Sequence, residues 1–172
     1  MINDFREGGV VFRIKAEYSE QMELKTNIER ARKFFGELRN FAELMPGVEG
    51  IKREASGIIR WTVRAEVPLL GAMRAAFAVE QTDDRPERIE WSPAAVETQN
   101  YLRYAAVFEE HGAANTLVRI VQRVELRRTH ARDLHLLAGL VGEGRISAEM
   151  QKRVTEMVKT FLQRARAKLE SK

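Results

Sequence analysis

The sequence predicts an α+β fold: one antiparallel sheet of six to seven strands wrapped around a long C-terminal helix, with two short helices after the first strand. Three observations predict it. Most of the chain alternates apolar and polar residues with period two, the mark of half-buried strands. One stretch near the end, Ser147 to Leu169, instead repeats apolar residues at i, i+3, i+4 and i+7. No helix-length segment separates the later strands, which disfavours a parallel βαβ sheet and favours a meander.

The elements follow in order. Val10 to Leu24 reads as a long strand, with Val10, Phe12, Ile14, Ala16 and Tyr18 on one face. Thr26-Asn27-Ile28-Glu29 matches a capping box, which predicts Thr26 as the N-cap of a helix. Ile28, Ala31, Phe34, Phe35 and Leu38 continue at helical spacing, and Arg39 to Met45 reads as a second short helix. Pro46-Gly47 ends it. Val48 to Arg53, Gly57 to Val67 and Ala72 to Gln81 read as strands. Asp83-Asp84-Arg85-Pro86 reads as a turn, and Arg88 to Trp91, Thr98 to Glu109 and Asn115 to Arg127 as further strands. Thr129 to Gly144 is leucine-rich but broken by Gly139, Gly142 and Gly144, which suggests a short helix or a lid. Ser147 is the expected N-cap of the final helix, whose stripe runs through Met150, Val154, Met157, Val158, Phe161, Leu162, Ala165 and Leu169. Its polar face is expected to carry Lys152, Arg153, Lys159, Arg164 and Lys168.

Composition bounds the function. A chain of 172 residues fits one domain, 1–172, and can bury a core without staples. With no cysteine, disulfides, thiolate nucleophiles and cysteine metal sites are excluded, and a reducing compartment, the cytoplasm, is expected. Met1 to Gly9 carries Asp4, Arg6 and Glu7 with no apolar run behind it, so no signal peptide is expected. The net charge of +4 is uneven. Arg128 to Lys172 holds ten Lys/Arg against five Asp/Glu, a net of +5, and the rest nets −1. Such a segment could dock on a membrane surface or an acidic protein, although a solvated helix face is the ordinary reading. Nucleic-acid binding is not expected, because Glu149, Glu156 and Glu170 interrupt the basic residues.

Two passages carry a resemblance. Thr26-Asn27-Ile28-Glu29-Arg30-Ala31-Arg32-Lys33-Phe34-Phe35, followed by Phe41-Ala42-Glu43-Leu44-Met45-Pro46-Gly47-Val48-Glu49, resembles the helix pair and Leu-Pro-Gly-Val-Glu turn of the carbon monoxide dehydrogenase G family. Leu137-Ala138-Gly139-Leu140-Val141-Gly142 resembles the Gly-rich segment before its last helix. The element order resembles the wider START-like superfamily (SRPBCC, Bet v 1-like, polyketide cyclase/dehydrase-like). The prolines before a Val-Trp pair, usual at the first helix there, are missing. The resemblance implies a helix-grip fold and an apolar ligand, such as a lipid, quinone or polyketide, held between sheet and helix. It implies binding or carrier work first, and cyclase or hydrolase chemistry second. Members of the carbon monoxide dehydrogenase G family are accessory proteins in the maturation or membrane attachment of a metalloenzyme.

The expected ligand-facing residues are Trp61, Val63, Phe77, Trp91, Leu102, Tyr104, Phe108 and Gln122 from the sheet, with Met157 and Phe161 from the helix. Aromatic and methionine side chains with few polar groups suit an apolar pocket. Each on its own is equally what a filled core requires. Gln122 and Tyr104 are polar exceptions that must find hydrogen bonds from protein, water or ligand. His130-x-x-Asp133-x-His135 is the nearest approach to a metal cluster, but its spacing matches no zinc pattern; no metal and no cofactor are expected. If the protein is an enzyme, His135 or Glu109 would be its acid–base group.

Overall fold

The period-two alternation becomes a seven-stranded antiparallel sheet in the computed structural model, which describes residues 12–171. The chain runs β1 (Phe12–Leu24), α1 (Ile28–Gly36), α2 (Leu38–Leu44), β2 (Val48–Arg53), β3 (Ile59–Val67), β4 (Gly71–Arg85), β5 (Arg88–Pro93), β6 (Asn100–Glu110) and β7 (Thr116–Arg128). A 3-10 turn at Ala131–Asp133 leads to α3 (Ala138–Val141) and α4 (Glu143–Glu170). The strand order is β1-β7-β6-β5-β4-β3-β2. The strands from β2 to β7 form a meander, and β1 closes onto β7, so β1 and β2 are the edges. The helices α1 and α2 carry the chain from one edge to the other.

Alternation decides which face points inward. Along β7, Thr116, Val118, Ile120, Gln122, Val124 and Leu126 are all buried. Directly opposite, Leu102, Tyr104, Ala106 and Phe108 of β6 are buried as well. This face packs on α4, which buries Ile146, Met150, Val154, Val158, Phe161, Leu162, Ala165 and Leu169. The other sheet face carries ion pairs such as Arg123 with Glu17 at 3.0 Å and Arg127 with Glu125 at 2.7 Å.

The helix α4 also grips the free edge of β1. The amides of Arg13, Lys15 and Glu17 face away from β7 and donate to Glu143 Oε1 (2.5 Å), Ser147 Oγ (3.2 Å) and Gln151 Oε1 (2.8 Å). Gln151 Nε2 donates in return to the Glu17 carbonyl at 2.6 Å. Two strand residues advance about 6.6 Å, and four helix residues advance about 6.0 Å, so the side chains stay in step with the strand. Lys25 N donates to Glu170 Oε1 at 3.0 Å at the far end.

Several expectations are corrected. Asn27, not Thr26, caps α1: its Oδ1 accepts from Arg30 N at 2.8 Å. Thr26 is buried, and its carbonyl accepts from the buried Thr116 hydroxyl at 2.8 Å. The helix α4 begins at Glu143 rather than after Ser147, because Glu143 and Ser147 both serve the β1 edge and Ile146 is buried between them. Asp83, Asp84 and Arg85 extend β4 across a register shift, which leaves only Pro86 and Glu87 between it and β5. Val10 and Val11, expected to open the first strand, lie outside the described residues.

Two substitutions test these contacts. Gln151→Ala removes both bonds to Glu17 and should lower unfolding free energy by about 1–2 kcal/mol in urea titration. Gly47 has φ of +83°, and a Cβ there would lie 2.5 Å from the Arg64 carbonyl oxygen. Gly47→Ala should therefore cost roughly 2 kcal/mol or more; an unchanged midpoint would contradict the packing.

Candidate functional site

The core beneath α4 is filled by aromatic rings. Phe41 stacks on Phe161 at 4.6 Å between centroids and meets Tyr104 edge-on at 5.0 Å. Trp91 stacks on Tyr104 at 5.5 Å, and Phe35 packs against Phe108 at 6.0 Å and Phe161 at 6.1 Å. Such contacts add about 0.5–1.5 kcal/mol per pair beyond area burial. This part of the interior is closed.

Beyond the rings, toward β3 and β4, packing is incomplete. An inner pocket of about 50 Å³ lies against Trp61, Val63 and Ala65 of β3, Phe77 of β4, Leu102 of β6, and Gln122 and Val124 of β7. Met150, Arg153, Val154 and Met157 of α4 face it, and Met45 and Val48 close one end. An outer pocket of about 210 Å³ shares Val63, Ala65, Phe77, Val124 and Met150 with the inner one, so the two adjoin. Its rim is formed by Met73, Arg74, Arg128, Leu134 and His135. Larger recesses of about 550 and 460 Å³ lie among charged side chains, including Arg88, Glu90 and Arg103 in one and Glu17, Arg123 and Glu125 in the other. Those charges already pair with one another, as Arg103 does with Glu90 and Arg123 with Glu17. The smaller apolar pair better fits the pattern of a ligand site.

The polar groups of this interior are unusual. Trp61 Nε1 and Arg153 Nε are buried and have no hydrogen-bond partner among the described residues. The same holds for Trp91 Nε1 and the Tyr104 hydroxyl in the aromatic cluster. Burial alone pushes the Tyr104 phenol well above its ordinary range. On the rim, Arg128 donates to the Gln99 carbonyl at 3.3 Å, the Arg127 carbonyl at 2.7 Å and Asn100 Oδ1 at 2.9 Å. His135 Nδ1 accepts from Leu137 N at 3.1 Å, which leaves Nε2 as the protonated nitrogen of the neutral ring.

The expected ligand-facing residues separate into two groups. Trp61, Val63, Phe77, Leu102, Gln122 and Met157 surround the inner pocket. Trp91, Tyr104, Phe108 and Phe161 sit in the ring cluster. His135 stands on the outer rim, whereas Glu109 is exposed near the end of β6. His130 Nδ1 lies 3.4 Å from Asp133 Oδ2, and no group of three or more potential metal-binding side chains occurs among the described residues. Arg153, expected on the polar face of α4, pairs there with Glu156 and also borders the inner pocket. It lies three residues after Met150 and four before Met157, so the spacing itself puts it on the pocket stripe.

The basic surface of α4 offers less free charge than its composition suggests. Lys152 pairs with Glu149 at 3.2 Å and Arg153 Nη1 with Glu156 at 2.9 Å, and Arg164 donates to the Leu44 carbonyl at 2.9 Å. No helix among the described residues is long and apolar enough to cross a membrane.

Solved structures share this architecture. The di-domain ARO/CYC BexL matches 92% of the chain at a TM-score of 0.63 and 14% identity. The chain spans about half that protein, 51% of its length. A START superfamily protein from Mycobacterium smegmatis matches 90% of this chain and 97% of its own, at TM-score 0.58 and 12% identity. The chain has the START-like helix-grip fold. Ginseng major latex-like protein 151 from Panax ginseng shares it at TM-score 0.53 and 12% identity, over 92% of this chain and 99% of its own. No family model and no curated protein matches the sequence, so the expected closeness to the carbon monoxide dehydrogenase G family gains no support.

The unpartnered Tyr104 hydroxyl makes a measurable difference within this helix-grip core. Tyr104→Phe removes a buried polar group that has no partner, so it should leave stability unchanged or raise it by about 1 kcal/mol. The raised phenol also sets a pH dependence. Above about pH 10 the unfolded chain ionises at this tyrosine while the folded one does not, so stability falls with rising pH. Chemical denaturation at pH 8 and pH 11 should show a smaller alkaline loss in Tyr104→Phe than in the parent.

Proposed function

We propose that the protein is a non-enzymatic binding or carrier protein, holding a compact apolar small molecule between strands β3 and β4 and helix α4. One observation carries this reading: the two adjoining apolar pockets, left open beside an otherwise filled aromatic core. Their volumes of about 210 and 50 Å³ suit a small ligand better than a diacyl lipid or a sterol. Methionines 45, 73, 150 and 157 on the walls can adapt to irregular shapes. The fold shared with an ARO/CYC protein and a START superfamily protein is compatible with such a role.

A cyclase-like enzyme is the second reading, favoured by His135 on the outer rim, whose Nδ1 accepts from Leu137 N. Binding is preferred, because no carboxylate or hydroxyl nucleophile stands among the residues lining either pocket.

Val63 lines both pockets, so Val63→Trp should fill the space while keeping the fold. Native mass spectrometry with medium-chain alcohols, quinones and small aromatics should show one-to-one complexes with the parent and at least a tenfold loss in the variant. A parent that binds nothing in this panel would overturn the proposal.

A further inference from the structure

The core-facing stripe of β7 ends on a cation. Side chains two residues apart share a strand face, so Arg128 continues the row of Gln122, Val124 and Leu126 and stands where that row meets the outer pocket. The position is held from several sides. Nη1 donates to the carbonyls of Gln99 and Arg127, and Nη2 donates to Asn100 Oδ1. Asn100 Nδ2 donates in turn to the Ala76 carbonyl of β4 at 2.9 Å. A guanidinium has five N–H groups, so Nε–H and one Nη2–H have no partner among the described residues.

All three acceptors are neutral, and no carboxylate pairs with Arg128 among the described residues. Glu97 and Asp133 act on it only from further away, and both are engaged elsewhere. Glu97 accepts from the amides of Ala78, Thr98, Gln99 and Asn100, and Asp133 accepts from the amide of His130. Burial pulls the Arg128 pKa below the ordinary arginine value, as expected for a charge whose surroundings compensate it incompletely. The mouth supplies no negative charge of its own: Arg74 and His135 line it beside Arg128, and neither Asp nor Glu does. Arg74 is paired with Glu49 at 2.6 Å, which leaves Arg128 as the arginine of the mouth without a counter-charge. Further in, the wall turns apolar through Val63, Phe77, Val124 and Met150, which the outer pocket shares with the inner one.

Resting on the apolar-ligand reading above, we propose that Arg128 is an acid-recognition site at the mouth of the outer pocket, taking the carboxylate of an amphiphile whose hydrocarbon body lies inward against Val63, Phe77 and Met150. A guanidinium can donate two parallel bonds to one carboxylate, and hydrogen bonds between charged partners are about twice as strong as neutral ones. One unpaired cation matches one negative charge. The polarity of the walls sets the direction of the ligand, with its charged end at the opening, near water, and its chain among the aliphatic and aromatic side chains.

Isothermal titration calorimetry on the full chain compares octanoate, octanol and acetate, the first two below the concentrations at which they aggregate. Octanoate should bind about tenfold or more tightly than octanol, and acetate, which lacks the hydrocarbon body, should give no measurable heat at the same concentrations. Rising salt should weaken octanoate and leave octanol unchanged. Arg128→Gln should bring octanoate down to the level of octanol while octanol stays within about twofold. Arg128→Lys, which keeps the charge but not the paired donors, should retain part of the advantage. Arg153→Gln, at the inner pocket, should retain all of it. Circular dichroism establishes that each variant is folded. Equal affinity of the parent for octanoate and octanol, or an octanoate advantage that survives Arg128→Gln, would overturn the acid site and leave the apolar pocket standing. An Arg128→Gln variant that loses both ligands alike would make Arg128 a structural residue and overturn the assignment as well. Failure of both ligands to bind the parent would overturn the pocket reading itself, and this assignment with it.

Discussion

The bond between α4 and the open edge of β1 organises this molecule. A sheet edge exposes a row of unpaired amides and carbonyls that invites another strand. Here side chains at positions 143, 147 and 151 take that place against amides 13, 15 and 17. From Glu143 to Glu170 the helix advances about 40 Å, and from Arg13 to Lys25 the strand advances nearly the same distance. The two elements can therefore run together from end to end, joined at 143 and again at 170. The edge is protected, and the helix is fixed in register and rotation.

That fixation explains where the interior is full and where it is not. With α4 bound on the β1 side, its apolar stripe and the rings of Phe35, Phe41 and Phe161 fill the space above β6 and β7. The curved sheet continues past them to β3 and β4, where the helix presents Met150, Arg153 and Met157 across a gap. The pocket is thus a consequence of one helix covering a sheet wider than itself. Trp61 and Arg153, each with a buried nitrogen that has no partner among the described residues, are among the residues that border this gap.

Strand faces, strand order by adjacency and the amphipathic helix were legible in the sequence, because period-two and period-3.6 patterns report directly which face meets the core. The inward faces of β3, β6 and β7 follow from Trp61, Tyr104 and Gln122 with their neighbours two residues away. The N-caps of α1 and α4 were not legible. Thr26 and Ser147 are good caps by type, yet each has tertiary work: Thr26 accepts from Thr116, and Ser147 accepts from Lys15. Periodicity also could not separate pocket from core, since Trp61 and Trp91 look alike in a strand pattern but only the first faces open space. The charge of Arg153 marks the partly exposed residue that pairs with Glu156, and its spacing from Met150 and Met157 also sets it beside the pocket.

The central claim is that binding occurs between β3, β4 and α4. Methyl-labelled methionines report on it directly in NMR spectra. Met45, Met73, Met150 and Met157 line the pockets, whereas Met22 is buried on β1 away from them. Adding a medium-chain apolar ligand should shift the four lining methyl resonances in a saturable way and leave Met22 in place. Saturable binding that moves Met22 while the other four stay still would place the site elsewhere and contradict the account.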